Sequence, residues 1–270
     1  MKYSEIESFY QNSYNENERM ERNPLEFHRC KEIISRYLST SPMEIADIGG
    51  ATGVFSYWLA SQQHNVHLLD FTPLHIEQAK ENGRKLNISL ASYHCDDARH
   101  LPFKDNTFDM VLLMGPLYHL QDRDDRLLCL FEAIRVLKHD GVLICEAISR
   151  YASLIDGFKY LNVEDDKFIG IMDKGLATGL HCPGSTSYFT TAFFHTPDEL
   201  KNELIDTGFK NVDIIAIEGF ANALDSDEIL KNEKLRTLLL EYIRKTENIP
   251  ELMGISGHFF AISRKPNFSL

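Results

Sequence analysis

Two acids and a glycine-rich turn carry the clearest chemistry in this chain. The run Ile45-Ala46-Asp47-Ile48-Gly49-Gly50-Ala51-Thr52-Gly53 is an apolar stretch that leads into a turn with little side-chain bulk. A second apolar stretch, Val66-His67-Leu68-Leu69, ends on Asp70. Such a loop lets a ligand approach backbone N–H groups, and a carboxylate at the end of the next strand receives a ribose diol; together they describe a nucleotide-binding βαβ unit. The glycines stand at 49, 50 and 53, so the G-x-G-x-x-G register of dinucleotide sites is not met. Alanine disfavours positive φ, so the loop is predicted to keep Ala51 at negative φ. Asp47 is predicted to accept backbone N–H bonds that shape the loop and to reach a ligand only through water. Gly49, Gly50 and Gly53 alone also suit an ordinary strand-to-helix turn, and Asp70 could cap the helix that Thr72-Pro73 begins; the ligand reading rests on the combination.

Further along, His119 is placed to take a proton from an attacking hydroxyl or amine near neutral pH. Its alternative is to cap the next helix or to pair with a carboxylate. Residues 187–195 bring together Tyr188, Phe189, Phe193, Phe194 and His195. Strand alternation would put Tyr188, Thr190 and Ala192 on one face and Phe189, Thr191 and Phe193 on the other. Core packing accounts for one face, and an aromatic acceptor pocket for the other. His181 and His195 are candidate bases or ligands, although lone histidines are more often structural. No His/Asp/Glu triad shows metal-ligand spacing, so no metal is expected.

These residues need a scaffold, and the chain supplies a rhythm for one. Residues 3–39 read as helical, closed by Pro42. Residues 43–147 alternate strand and helix. The strands are predicted at 44–48, 66–70, 89–95, 108–114 and 141–147, and the helices at 54–61, 74–86 and 124–137. That alternation implies a parallel sheet covered on both faces. The rhythm breaks over 148–195, where helical pieces at 151–161 and 165–174 precede a Gly/Pro-rich turn and the aromatic stretch. It resumes at Thr196-Pro197-Asp198-Glu199, which has the composition of a capping box with proline in the first helical position. Strands at 212–217 and 258–263 flank a largely helical insert around 222–247.

The glycine loop resembles the first motif of class I S-adenosylmethionine (SAM) methyltransferases, acid-x-Gly-x-Gly-x-Gly, with Ala51 in the usual place of the middle glycine. Cys95-Asp96-Asp97-Ala98-Arg99-His100-Leu101-Pro102-Phe103 is similar to the Gly-Asp-Ala-x-x-Leu-Pro-Phe segment of the small-molecule members, with Asp96 replacing the glycine. Asn106-Thr107-Phe108-Asp109-Met110-Val111 is similar to their lead-in to the fourth strand, where Asp109 reads as a structural acid. Gly115-Pro116-Leu117-Tyr118-His119-Leu120 resembles a bacterial subgroup. The resemblance covers about residues 43–147 and 196–264. It implies an α/β fold: a doubly wound, seven-stranded, mostly parallel Rossmann-like sheet whose last strand enters antiparallel beside the fifth. An N-terminal helical cap (1–42), a cofactor-binding core (43–147), a lid insertion (148–195) and a C-terminal part of the sheet (196–270) complete the expected organisation. It further implies that SAM is held by Gly49, Gly50, Ala51, Gly53, Asp70, Phe71, Asp97, Ala98, Met114 and Gly115. Asp97 would take the adenine amino group and the Ala98 backbone the ring. An N-terminal helix carrying Tyr10, Tyr14 and Arg19 would close over the cofactor, with Arg19 toward the methionine carboxylate.

Composition narrows the function. A net charge of −12 over 270 residues, with Lys and Arg interleaved among acids, opposes a nucleic-acid partner. Met114-Gly115-Pro116-Leu117 also differs from the Asn/Asp-Pro-Pro-aromatic motif of amino-directed nucleic-acid enzymes. The five cysteines form no Cys-x-x-Cys pair, which argues against a disulfide framework, structural zinc and arsenic methylation. Cys95, Cys129 and Cys145 read as buried small hydrophobes. Met1 to Glu21 is too polar for a signal peptide, and no apolar run reaches the roughly 18 residues that span a bilayer. The expectation is therefore a cytoplasmic methyltransferase, without a membrane partner, acting on an oxygen or nitrogen of a small molecule; a homodimer is compatible with it. The alternatives are an NAD-dependent oxidoreductase and a SAM-binding regulator without transfer activity.

Overall fold

The strand at 44–48 buries Ile45, Ala46, Asp47 and Ile48 completely, the signature of a strand covered on both faces rather than one. The computed structural model describes residues 9–10, 23–184 and 188–267. Its strands are β1 (Glu44–Ile48), β2 (Asn65–Asp70), β3 (Ser92–Cys95), β4 (Phe108–Leu113), β5 (Leu137–Ile148), β6 (Leu180–His181), β7 (Ala192–Phe193), β8 (Lys210–Ala216) and β9 (His258–Arg264). Seven of them form one sheet in the order β3-β2-β1-β4-β5-β9-β8. β1 to β5 run parallel, and β9 lies antiparallel between β5 and β8. This is the doubly wound, Rossmann-like methyltransferase arrangement. The chain order reverses at β1 and β4, and it is there that open α/β sheets form a ligand crevice.

Helices cover both faces. α1 (Pro24–Ser35), α2 (Val54–Ser61) and α3 (Pro73–Leu86) pack on one side, where Ile33, Ile34, Leu59 and Ile76 meet Ile45, Leu68, Met110, Ile144 and Phe260. After the single turn α4 (Pro116–His119) comes α5 (Arg123–Val136), which covers the other face. There Leu130 and Ala133 join Leu200 and Leu204 of α8 (Pro197–Asp206) against Ile48, Val111, Leu143 and Phe259. Between β5 and β7 lie α6 (Ala152–Lys159) and α7 (Asp166–Thr178), and α9 (Asp227–Lys231), α10 (Glu233–Thr246) and α11 (Pro250–Met253) lie between β8 and β9. α8 begins with the anticipated capping box: Thr196 Oγ1 accepts from Glu199 N–H at 3.2 Å, and Glu199 accepts from Thr196 N–H at 2.8 Å. Buried Arg29 anchors α1, donating to the Ile217 carbonyl at 3.0 Å and to Glu247.

Several local expectations are revised. Ala51 has φ +47°, not a negative value; its N–H donates to Asp70 Oδ2 at 2.9 Å, and this bond helps hold the residue in the left-handed region. Asp47 bonds to Ser56 Oγ at 2.6 Å, at the start of α2, while Gly49 and Gly50 N–H both go to the Leu69 carbonyl. Within the described part of the aromatic stretch, only Ala192–Phe193 is strand, paired with Leu180–His181. Cys95 is exposed, because β3 is an edge strand and Cys95 is its last residue. Of the helical stretch expected over 3–39, residues 9–10 and α1 are seen; Tyr14 and Arg19 lie outside the described residues. No helix among the described residues is long and apolar enough to cross a membrane.

Candidate active site

β1 ends at Ile48, and the glycine loop folds back onto β2 through the two bonds to Leu69. Two positions cannot carry a side chain here. A Cβ on Gly49 would stand 2.5 Å from Pro116 Cδ, and one on Gly50 would stand 2.6 Å from Asp47 Oδ2. The doubled glycine therefore lets the loop sit between the β4–α4 turn on one side and Asp47 on the other. Burial pushes the Asp47 carboxyl up to about 6, and the nearby Asp70 charge adds to the shift, against the Ser56 bond.

Asp70 stands at the end of β2 with both oxygens engaged. Oδ2 accepts from Ala51 N–H, while Oδ1 accepts from Thr72 N–H at 2.8 Å and lies 3.0 Å from His75 Nδ1. A carboxylate offers about four acceptor directions, so one remains for a ligand. Asp70 thus shapes the loop as well as facing the crevice. Beyond β3, Asp97 is gripped by Arg99, whose Nη2 lies 2.6 Å from Oδ2, and Arg99 also reaches Asp125. Burial alone would raise the Asp97 carboxyl, but the Arg99 guanidinium holds it below the usual range. Asp96 beside it is exposed.

These groups converge. Gly49, Ala51, Asp70, Phe71, Asp97, Ala98, Met114, Gly115 and His119 all line one cleft of about 120 Å³. Gly50 and Gly53 are not among its lining: Gly50 sits against Asp47 and Leu68, and Gly53 precedes α2 next to Tyr57. Phe71 is 44% exposed and offers an apolar face beside the Asp70 carboxylate. A backbone cradle, a carboxylate with one open acceptor direction and a flat apolar face are the features that a nucleoside bearing an amino-acid chain would need.

His119 lies at the end of α4. Its Nε2 is 2.9 Å from the Tyr10 hydroxyl, and the Tyr10 ring meets both His75 and His119 edge-on, at 5.1 and 5.5 Å. Tyr10 and Tyr118 also line a second cavity of about 720 Å³, so the two spaces adjoin at these two tyrosines. Its walls include Phe168, Tyr188, Phe189 and Phe194, and its floor includes Glu26, Asp156, Glu218 and His258. Glu26, Glu218 and His258 bring ligand-type atoms within 4.8 Å of one another. Burial works against a charged His258, but Glu218 and Glu26 outweigh it and raise the ring to about 10. Sequence reasoning did not find the floor residues, nor His75 behind Asp70. His195 is fully buried against Glu203, with its Nε2 at 3.3 Å from the carboxylate, a structural placement.

Sheet order and the glycine loop are those of the Rossmann-like methyltransferase fold. The family model described as "Methyltransferase domain" matches residues 46–145, which run from β1 into β5. The chain is 32% identical to a ubiquinone/menaquinone biosynthesis C-methyltransferase of Haemophilus ducreyi over 111 residues, 40% of this chain and 42% of that one. It is 28% identical to a malonyl-[acyl-carrier protein] O-methyltransferase of Geobacter sulfurreducens over 194 residues, 68% of this chain and 64% of that one. The matches span roughly half the length of the first curated relatives, between 42% and 64%. A SAM-dependent methyltransferase structure from Methanosarcina mazei shares the fold, with a TM-score of 0.58, 20% identity, and coverage of 87% of this chain and 97% of that one.

Proposed function

We propose that this protein is a SAM-dependent methyltransferase that moves a methyl group to an oxygen or nitrogen of a small molecule. The observation that carries the reading is the junction of two spaces: a cleft built from the glycine loop, Asp70 and Asp97-Ala98, and a larger aromatic cavity, meeting at Tyr10 and Tyr118, with His119 on the cleft side and bonded to Tyr10. When bound, SAM supplies a methyl group on a sulfonium, open to in-line displacement. In this assignment Asp70 accepts from the ribose diol, and Asp97 or its exposed neighbour Asp96 takes the adenine amino group. Ala98, Met114 and Phe71 supply apolar contact, and Gly49 and Gly115 supply backbone without side-chain bulk. Arg19 is the proposed partner of the methionine carboxylate. Phe9 and Tyr10, with Phe168, Tyr188, Phe189 and Phe194, enclose the acceptor cavity and limit water there.

The cleft, at about 120 Å³, falls below the roughly 300–1,000 Å³ of typical ligand sites. Tyr10 lies across it and is the group that gives way to a cofactor-sized ligand. His119 then serves as the base or orienting group for an O–H or N–H acceptor, with its Nε2 passing from Tyr10 to the substrate. Positioning the two reactants supplies much of the acceleration. The named relatives act on carbon and on oxygen, so preference for a heteroatom rests on the Tyr10–His119 pair at the junction.

Calorimetric titration with S-adenosylhomocysteine (SAH), SAM and NAD tests the cofactor. Binding of SAH and SAM without NAD is expected; NAD binding without SAH would overturn the reading. SAH release with hydroxyl, amine and carbon-acid acceptors then tests the acceptor atom, and turnover confined to carbon acids would refute the heteroatom assignment.

A further inference from the structure

We infer that His75 is a second ribose ligand: its Nε2 takes one hydroxyl of the cofactor's ribose diol while Asp70 takes the other. The ligand rests on the methyltransferase reading, and the residue on hydrogen-bond arithmetic at the end of β2. A diol brings two O–H groups side by side, and a carboxylate with both oxygens open takes one on each. Asp70 does not have both open. Its Oδ1 already receives Thr72 N–H at 2.8 Å and His75 Nδ1 at 3.0 Å, and two donors fill the two lone pairs of that oxygen. Oδ2 receives Ala51 N–H at 2.9 Å and has one lone pair to give. One hydroxyl of a diol is thus served, and the other needs a different partner.

His75 supplies it. It is the third residue of α3, and its ring belongs to the cleft wall beside Asp70, Phe71 and Thr72. A carboxylate only accepts, so the bond to Asp70 puts a proton on Nδ1. Nε2 makes no hydrogen bond among the described residues and keeps accessible surface, in contrast to the sealed Nδ1 atoms of His181 and His195. A hydroxyl both donates and accepts, so Nε2 can bond it as a lone pair in the neutral ring or as an N–H in the charged one. The bond to Asp70 fixes the ring on one side, and the Tyr10 ring meets it edge-on at 5.1 Å. Tyr10 is the group that yields to a cofactor-sized ligand, so a ligand that displaces it meets the His75 imidazole.

Other polar groups of this wall are already bonded. Gly49 N–H goes to the Leu69 carbonyl, Ala51 N–H to Asp70, and Asp97 to Arg99. Thr72 Oγ1 is the rival, since it makes no cap bond to α3, but no contact fixes it as Asp70 and Tyr10 fix the His75 ring.

The two ring nitrogens can be replaced one at a time. Asparagine keeps a donor in the place of Nδ1 and lacks Nε2; glutamine reaches the place of Nε2 and lacks the donor to Asp70. The parent chain, His75→Asn and His75→Gln are titrated by calorimetry with SAH, 2′-deoxy-SAH and 3′-deoxy-SAH. In the parent, loss of either hydroxyl should weaken binding about tenfold, the equivalent of about 1.4 kcal/mol. His75→Asn should weaken SAH about tenfold and bind one of the two deoxy analogues as tightly as SAH, while the other hydroxyl keeps its tenfold effect through Asp70. His75→Gln should restore sensitivity to both hydroxyls. Each comparison is a ratio within one protein, so a change in stability alone leaves it unmoved. Should His75→Asn fail to fold, His75→Phe, which fills the same wall without either nitrogen, carries the same expectation. A His75→Asn protein that keeps the parent's sensitivity to both hydroxyls overturns the inference, as does a parent indifferent to one of them. So does loss of that sensitivity in Thr72→Val instead, which would give the hydroxyl to Thr72. A parent that binds no SAH refutes the methyltransferase reading and this inference with it; SAH binding with any of the other adverse results refutes this inference alone.

Discussion

Substituting Asp70 by Asn probes the hinge between loop shape and ligand affinity. The carboxylate takes Ala51 N–H on one oxygen and both Thr72 N–H and His75 on the other, leaving one acceptor direction toward the cleft. An amide keeps one oxygen and turns the other into a donor. Whichever way it lies, an NH2 group faces either Ala51 N–H or Thr72 N–H, and a buried donor goes unpaired at about 1–3 kcal/mol of stability. If the amide oxygen stays with Thr72 and His75, the cleft-facing acceptor is lost as well, and its charge-assisted bond to a ribose diol is worth about 1.5–3 kcal/mol. At 1.4 kcal/mol per decade, the dissociation constant for SAH should rise roughly 10–100-fold. Calorimetry gives the affinity and urea unfolding the stability of the same samples. A dissociation constant within about threefold of the parent, with the unfolding free energy unmoved, would show that Asp70 neither shapes this loop nor meets the ligand.

Ala51→Gly should relieve a residue held at φ +47°, raising stability by about 0.5–1 kcal/mol without loss of SAH affinity; a lower unfolding midpoint would contradict the strain argument. The Asp47 carboxyl is raised to about 6 in the fold, above its ordinary unfolded value near 3.9. Between those values the folded state holds the extra proton, so wild-type stability falls as pH rises from about 4 through 6, by an amount on the order of 3 kcal/mol. Asp47→Asn should flatten that part of the urea-unfolding profile, and parallel profiles for the two proteins would refute the assignment. His119→Ala should lower turnover about 10²–10⁴-fold with little change in SAH affinity if the ring is a general base; near-normal turnover across the pH profile would eliminate that role.

The sequence by itself marked the glycine loop and the acids that gather at the small cleft. Gly49, Gly50, Asp70 and Asp97 are legible because each sits at a strand end, and strand ends are marked locally by apolar runs that stop at turn residues. The Thr196–Glu199 capping box was legible for the same reason: a cap is a contact between neighbours in the chain. Tertiary structure decided what depends on contacts between distant segments. Ala51 adopts positive φ with its N–H on Asp70, nineteen residues away, a pull that local preference cannot register. Cys95 is exposed because β3 falls at the sheet edge, and an apolar strand does not announce its neighbours. The antiparallel insertion of β9 between β5 and β8 came from family resemblance, since periodicity gives a strand but not its place. The floor of the large cavity was invisible for the deepest reason. Glu26 on α1, Asp156 on α6, Glu218 after β8 and His258 at the start of β9 share no spacing; only the folding of four separate elements around one space brings them together.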